Sequence, residues 1–117
     1  MTGLVSHLSG LAAEEAVARV YDRSGRQIAA RRWRSAGGEI DLIARDGAEV
    51  IFIEVKRAET HALAAERLGR RQMDRLCQTA AMFLAGEPAG QLTPMRFDVA
   101  LVDGRGAIEI VENAFAA

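Results

Sequence analysis

Two short apolar runs separated by Asp46-Gly47 constrain the fold more than any other feature of the chain. Glu39 to Arg45 and Glu49 to Lys56 are of strand length and rich in branched residues. An Asp-Gly pair between such runs signals a tight hairpin, because the turn needs a positive φ that glycine supplies at little cost. Side chains alternate faces along a strand. Glu54 and Lys56 therefore share a face with Val50 and Phe52, and Glu39, Asp41 and Ile43 share a face of the preceding strand. A turn centred on Asp46-Gly47 sets Asp41 opposite Phe52, with Glu54 its diagonal neighbour at roughly 7–8 Å. A loop two residues longer sets Asp41 directly opposite Glu54. Either register leaves both carboxylates on one side of the hairpin.

The remaining pattern supplies helices and further strands. Leu4, Leu8, Leu11 and Ala18 fall on one face of a helix over residues 4–21. Glu15 lies in that stripe, where a carboxylate needs a partner; Arg19, four residues on, is the expected one. A second long helix spans residues 70–84, with Met73, Leu76, Cys77, Ala80 and Leu84 on one face and Gly86 and Pro88 ending it. Residues 60–69 read as a loop with a short helical turn. Strands are expected at Arg96 to Val102 and, beyond Asp103-Gly104-Arg105-Gly106, at Ala107 to Val111. The order predicts an α/β fold, one domain over residues 1–117, with a mixed sheet flanked by helices.

The hairpin brings chemistry with it. Two close carboxylates repel, and both stay ionised only with a positive charge between them. A hard divalent cation meets that need: magnesium takes one or two carboxylates and completes its shell with water and phosphate oxygens. It lowers the pKa of a bound water and offsets the charge developing on a phosphate. Lys56 adds an ammonium two residues from Glu54, placed to orient or deprotonate an attacking water or to stabilise a phosphorane-like transition state. It is the only lysine, beside fourteen arginines, so this position has an ammonium where the chain elsewhere uses the planar guanidinium. The plainer alternative is an exposed hairpin face on which Lys56 pairs with Glu54 or Asp41.

Charge distribution bears on partners. The net charge is −1, yet Arg19, Arg23, Arg26, Arg31, Arg32 and Arg34 are opposed locally only by Asp22, and Arg67, Arg70, Arg71 and Arg75 only by Asp74. These stretches are either phosphate-facing surface or solvated faces. Trp33, between arginines, reads as core or a lid on the core rather than a base-stacking platform. Asp98 either faces the carboxylate site or pairs with Arg96 or an arginine of the second helix. His7, His61 and Cys77 lack zinc-ligand spacing. A single cysteine makes no internal disulfide, and the N-terminus has no basic start of a signal peptide, so a cytoplasmic location is expected. No run reaches membrane-spanning length.

Gly38-Glu39-Ile40-Asp41-Leu42-Ile43-Ala44 followed by Ile51-Phe52-Ile53-Glu54-Val55-Lys56 resembles the YraN-type family. The resemblance extends to Arg31 and Arg34, Arg71-Gln72, Arg96-Phe97-Asp98 and the closing Asn113-Ala114-Phe115. It implies the restriction-endonuclease-like, PD-(D/E)xK fold with an α-β-β-β-α-β core, related to archaeal Holliday junction resolvases. It further implies that Asp41, Glu54 and the Val55 carbonyl hold Mg2+ or Mn2+ and that Lys56 is catalytic. Glu15 resembles the first-helix acid of that superfamily, and Gln72 a helix residue near its site. Ile40 stands where the superfamily has proline, Arg32 where family members commonly have Asn, Arg71 where they have Lys, and Arg57 follows the lysine where a small residue is usual. The activity implied is metal-dependent endonucleolytic cleavage of DNA, branched or single-stranded. A homodimer would suit symmetric branched DNA. The alternative is a non-catalytic module that binds nucleic acid or protein around a vestigial metal site.

Overall fold

The computed structural model describes residues 3–115, with the side chains of the first helix described from Gly10 onward. Helix α1 spans Gly3–Arg23, followed by strands β1 (Gln27–Ser35), β2 (Gly38–Asp46) and β3 (Glu49–Arg57). Helices α2 (His61–Glu66) and α3 (Arg70–Leu84) and a 3-10 turn at Gly90–Leu92 lead to β4 (Met95–Val102) and β5 (Ile108–Phe115). The five strands form one sheet in sequence order. β3 and β4 run parallel, and every other neighbouring pair is antiparallel. The chain is thus α/β, with a mixed sheet and helices on both sides. No described helix is long and apolar enough to cross a membrane.

The two faces of the sheet bury different halves of the alternating pattern. Leu42, Ala44, Ile51, Ile53, Ala100 and Val102 pack beneath Ala13, Val17, Ala18 and Tyr21 of α1. Ile43, Val50, Phe52 and Phe97 pack beneath Leu76, Ala80 and Leu84 of α3. Ala64 of α2 covers Val99 and Leu101. At about 1.5–3 kcal/mol for each large side chain withdrawn from water, these two layers dominate the stability. Leu4, Leu8 and His7 lie outside the described side chains; Ala18, from the same expected stripe, is buried and Leu11 half-buried. Trp33 belongs to the α3 face, its ring edge-on to Phe83 with centroids 5.3 Å apart. Cys77 is half-buried against the same cluster.

Several local expectations need correction. β1 is the first of the three strands that the α-β-β-β-α-β order implies, but the residue pattern alone does not mark it, because its arginines mask the apolar residues around Ile28, Ala30 and Trp33. The short helical turn expected within residues 60–69 is present as a six-residue helix, capped where the Thr60 hydroxyl accepts from the Leu63 N–H. β5 continues four residues past Val111 to Phe115, which stacks on Phe97 at 4.6 Å. The hairpin register also differs from that of a turn at Asp46-Gly47. Asp46 pairs with Glu49, so the turn residues are Gly47 and Ala48, and the pairing runs on to Leu42↔Ile53. Gly47 has φ +60°, the positive value that a tight hairpin turn requires. Continued one step, this register sets Asp41 directly opposite Glu54.

Alternation also breaks at one rung. Leu42 faces α1 but Ile40 faces α3, and across from them Arg31 reaches α1 while Trp33 packs on α3. Residues two apart share a face in a regular strand. Between these pairs stands Arg32, at φ +45°, a left-handed backbone that costs an L-residue about 1–2 kcal/mol. β1 and β2 change faces at this rung, between Arg31 and Trp33 and between Leu42 and Ile40, while β3 keeps its alternation; Asp41 lies where β2 changes face.

Candidate metal-dependent active site

Asp41, Glu54 and Gln72 line one cleft of about 250 Å³, with Gly38, Glu39, Arg75, Leu76 and Thr79. β2 brings Asp41, β3 brings Glu54, and the first turn of α3 brings Gln72. The Asp41 Oδ2 accepts the Val55 backbone N–H at 2.8 Å. A strand N–H is thus satisfied by a carboxylate just where the β2–β3 pairing ends. Glu54 is buried; its Oε2 accepts from the Gln72 amide and lies 3.5 Å from the Lys56 ammonium. Its Oε1 is buried and has no partner. Gly37 and Gly38 let the β1–β2 turn approach α3 closely, since a Cβ at Gly37 would lie 3.2 Å from the Thr79 hydroxyl.

Burial pushes the Glu54 carboxyl up to about 9, and the hydrogen bond and charge of Asp41 add to the rise, against the pull of Lys56. Near neutral pH and without a cation, Glu54 therefore holds a proton. The donor set fits a hard cation in two respects: a buried Glu54 oxygen without a donor, and a neighbouring Asp41 carboxylate whose charge opposes ionisation of Glu54 even with Lys56 beside it. Among the described residues no group of three or more His, Cys, Asp or Glu forms a ready metal centre. Magnesium needs fewer, because water and phosphate oxygens complete its shell.

A stability test follows. The folded state takes up the Glu54 proton at a higher pH than the unfolded chain, so this residue makes the metal-free protein less stable as pH rises from about 5 toward 9. Glu54→Gln, which mimics the protonated form, should melt higher than the parent at pH 8, with the gap closing toward pH 5. Thermal melts in EDTA across that range check it; parallel curves would mean Glu54 is ionised throughout.

The structure places Glu15 away from the cleft and Glu14 beside it. Glu15 is half-exposed and pairs with Arg31 at 3.5 Å, not with Arg19. Its neighbour Glu14 faces Asp41 instead. Glu14 lines a second cavity of about 280 Å³ with Gly10, Leu11, Arg32, Arg34, Glu39 and Asp41. Its carboxyl is raised by burial first and by the Asp41 charge second. One position along a helix is a rotation of about 100°, enough to exchange a site residue for a surface one. Asp98 faces the opposite side of β4, bound by Tyr21 and Arg96, and takes no part in the cleft. Glu14, Glu39 and Arg75 line these cavities and were not singled out in the sequence, although Glu14 and Glu39 lie next to or near residues that were. The first basic stretch is less open than its sequence suggests: Arg26, Arg31, Arg32 and Arg34 each reach an acid.

These features define an α/β protein with an acidic cleft and one lysine beside it. The family model described as "Uncharacterised protein family UPF0102" matches residues 13–102. A UPF0102 protein of Cereibacter sphaeroides is 70% identical over 117 residues, the whole of both chains. One of Ruegeria pomeroyi is 64% identical over 113 residues, covering 97% of this chain and 92% of the relative. One of Dinoroseobacter shibae is 41% identical over 111 residues, covering 95% and 83%. The chain belongs to the UPF0102 family.

Proposed function

We propose that this chain is a metal-dependent nuclease of the restriction-endonuclease-like, PD-(D/E)xK kind that hydrolyses DNA phosphodiester bonds. The observation that carries the reading is the meeting of Asp41 and Glu54 at one cleft, with the Lys56 ammonium 3.5 Å from one Glu54 oxygen and the other buried oxygen without a hydrogen-bond donor. Asp41, Glu54 and the Val55 carbonyl would hold Mg2+ or Mn2+. Bound there, the cation supplies a more acidic water and charge stabilisation at the phosphate. Gln72 fixes the rotamer of Glu54 by donating to its Oε2. Lys56, on the same oxygen, orients the attacking water and balances charge as the phosphorane-like transition state forms. Arg75 at the cleft adds a positive contact for the DNA backbone.

Labelled single-stranded, duplex and four-way DNA, each incubated with the protein in magnesium or manganese, tests the reading. Nicked products that require the metal are expected. Salt-sensitive binding with no cleavage would instead favour a nucleic-acid-binding module with a vestigial site. Neither binding nor a metal-dependent rise in melting temperature would remove both readings.

A further inference from the structure

Arg32 holds a backbone conformation that a β-strand does not require, at φ +45°. Such strain persists only where the surroundings impose it, and it gathers at ligand sites. Here it turns β1 over, so that Arg31 reaches Glu15 on α1 while Trp33 packs on Phe83 of α3. Between the pairs Arg31↔Leu42 and Trp33↔Ile40, Arg32 stands opposite Asp41. Its guanidinium meets Glu14 through a single contact of 3.5 Å, with 48% of the Arg32 side chain exposed. Arg32, Glu14 and Asp41 share one cavity wall.

We infer that Arg32 contacts a phosphate of the DNA strand being cut, and that Glu14 holds its guanidinium until that strand arrives. The inference rests on the nuclease reading above. A guanidinium presents a rigid fork that matches two phosphate oxygens. One long contact to a carboxylate leaves most of that capacity unused. A phosphate entering beside Asp41 replaces Glu14 as the partner, and the Arg32–Glu14 pair opens without breaking any hydrogen bond of the sheet. The left-handed backbone fixes where the guanidinium starts.

DNA binding in EDTA, where nothing is cut, tests this with fluorescein-labelled single-stranded and four-way DNA over a range of KCl concentrations. Arg32→Asn is the informative variant, because asparagine tolerates the left-handed region and carries no charge. It should weaken binding about tenfold at ~0.1 M salt and make the slope of log K against log salt shallower by about 1. Arg32→Lys should recover part of both. Glu14→Gln frees Arg32 and should tighten binding severalfold. If Arg32 only neutralises Glu14, Arg32→Asn will bind DNA with unchanged affinity and slope, and the inference is overturned. A parent protein that neither binds nor cuts DNA would take the nuclease reading down together with it. A parent that cuts DNA, beside an Arg32→Asn variant of equal affinity and slope, would sink the inference alone.

Discussion

Lys56→Ala should fold normally and lose magnesium-dependent DNA cleavage by about 10²–10³-fold, the usual cost of removing one preorganised charge from a transition state. The ammonium lies 3.5 Å from the Glu54 Oε2, on a side chain only 17% exposed. Its effect is therefore felt where water is scarce and charge interactions are strong. Lys56→Arg should recover little, because a planar guanidinium places its charge differently from a compact ammonium. The pH profile separates a chemical role from a structural one. Lys56 pulls the Glu54 carboxyl down, against burial and Asp41. Removing it raises that carboxyl further, so residual activity in Lys56→Ala should move to higher pH. Asp41→Ala should abolish cleavage and also melt lower, since it leaves the Val55 N–H without its acceptor. Equal cleavage by Lys56→Ala and the parent, at every pH, would refute the nuclease reading.

The parts of the site that the sequence revealed are those that depend on alternation and turn chemistry. β2 and β3 are bounded by strong signals, and α3 runs over the same residues as its apolar stripe, Arg70 to Leu84. The opposition of Asp41 and Glu54 was one of two registers that the hairpin allowed. The choice between them depended on whether Gly47 is the first or the second turn residue, and composition does not decide that. Glu14 and Glu15 are adjacent acids on one helix, and only the packing of α1 on the sheet selects between them. β1 was hidden from the residue pattern because a partly exposed strand interleaves three arginines, Arg31, Arg32 and Arg34, with its apolar residues. The reversal at Arg32 left no mark in this chain's own residue, since arginine has no preference for a left-handed backbone; the Asn that family members carry there is the residue that does. What stayed hidden shares one cause: each feature is imposed by tertiary neighbours against the local preference of the residue.

Asp98→Ala should cost about 3–5 kcal/mol of folding stability, the range for removing one partner from a buried ion pair. Typical domains hold only about 5–15 kcal/mol in reserve, so this variant should be close to unfolding at moderate temperature. Asp98 is fully buried on the face of β4 opposite the cleft. Its Oδ1 accepts the Arg96 Nε at 2.9 Å and the Asn113 N–H at 2.9 Å, and its Oδ2 accepts the Tyr21 hydroxyl at 2.8 Å. Asn113 has φ +50°, and its N–H meets Asp98 where the β4–β5 register shifts between Phe97 and Val99. One carboxylate thus ties α1, β4 and the bulge of β5 together. In the other direction, burial and the Asp98 charge hold the Tyr21 hydroxyl well above its usual titration range, so it keeps donating to Asp98 as pH rises. Tyr21→Phe removes one donor and should cost only about 0.5–1.5 kcal/mol. In a double-mutant cycle, Arg96→Ala with Asp98→Ala should cost less than the two single changes summed, because each alone strands the other's charge. Urea unfolding of the four proteins measures this coupling. Strictly additive costs would mean that Arg96 is satisfied by Glu49 and Glu112, at 3.2 and 3.0 Å, and that Asp98 acts through Tyr21 and Asn113 alone.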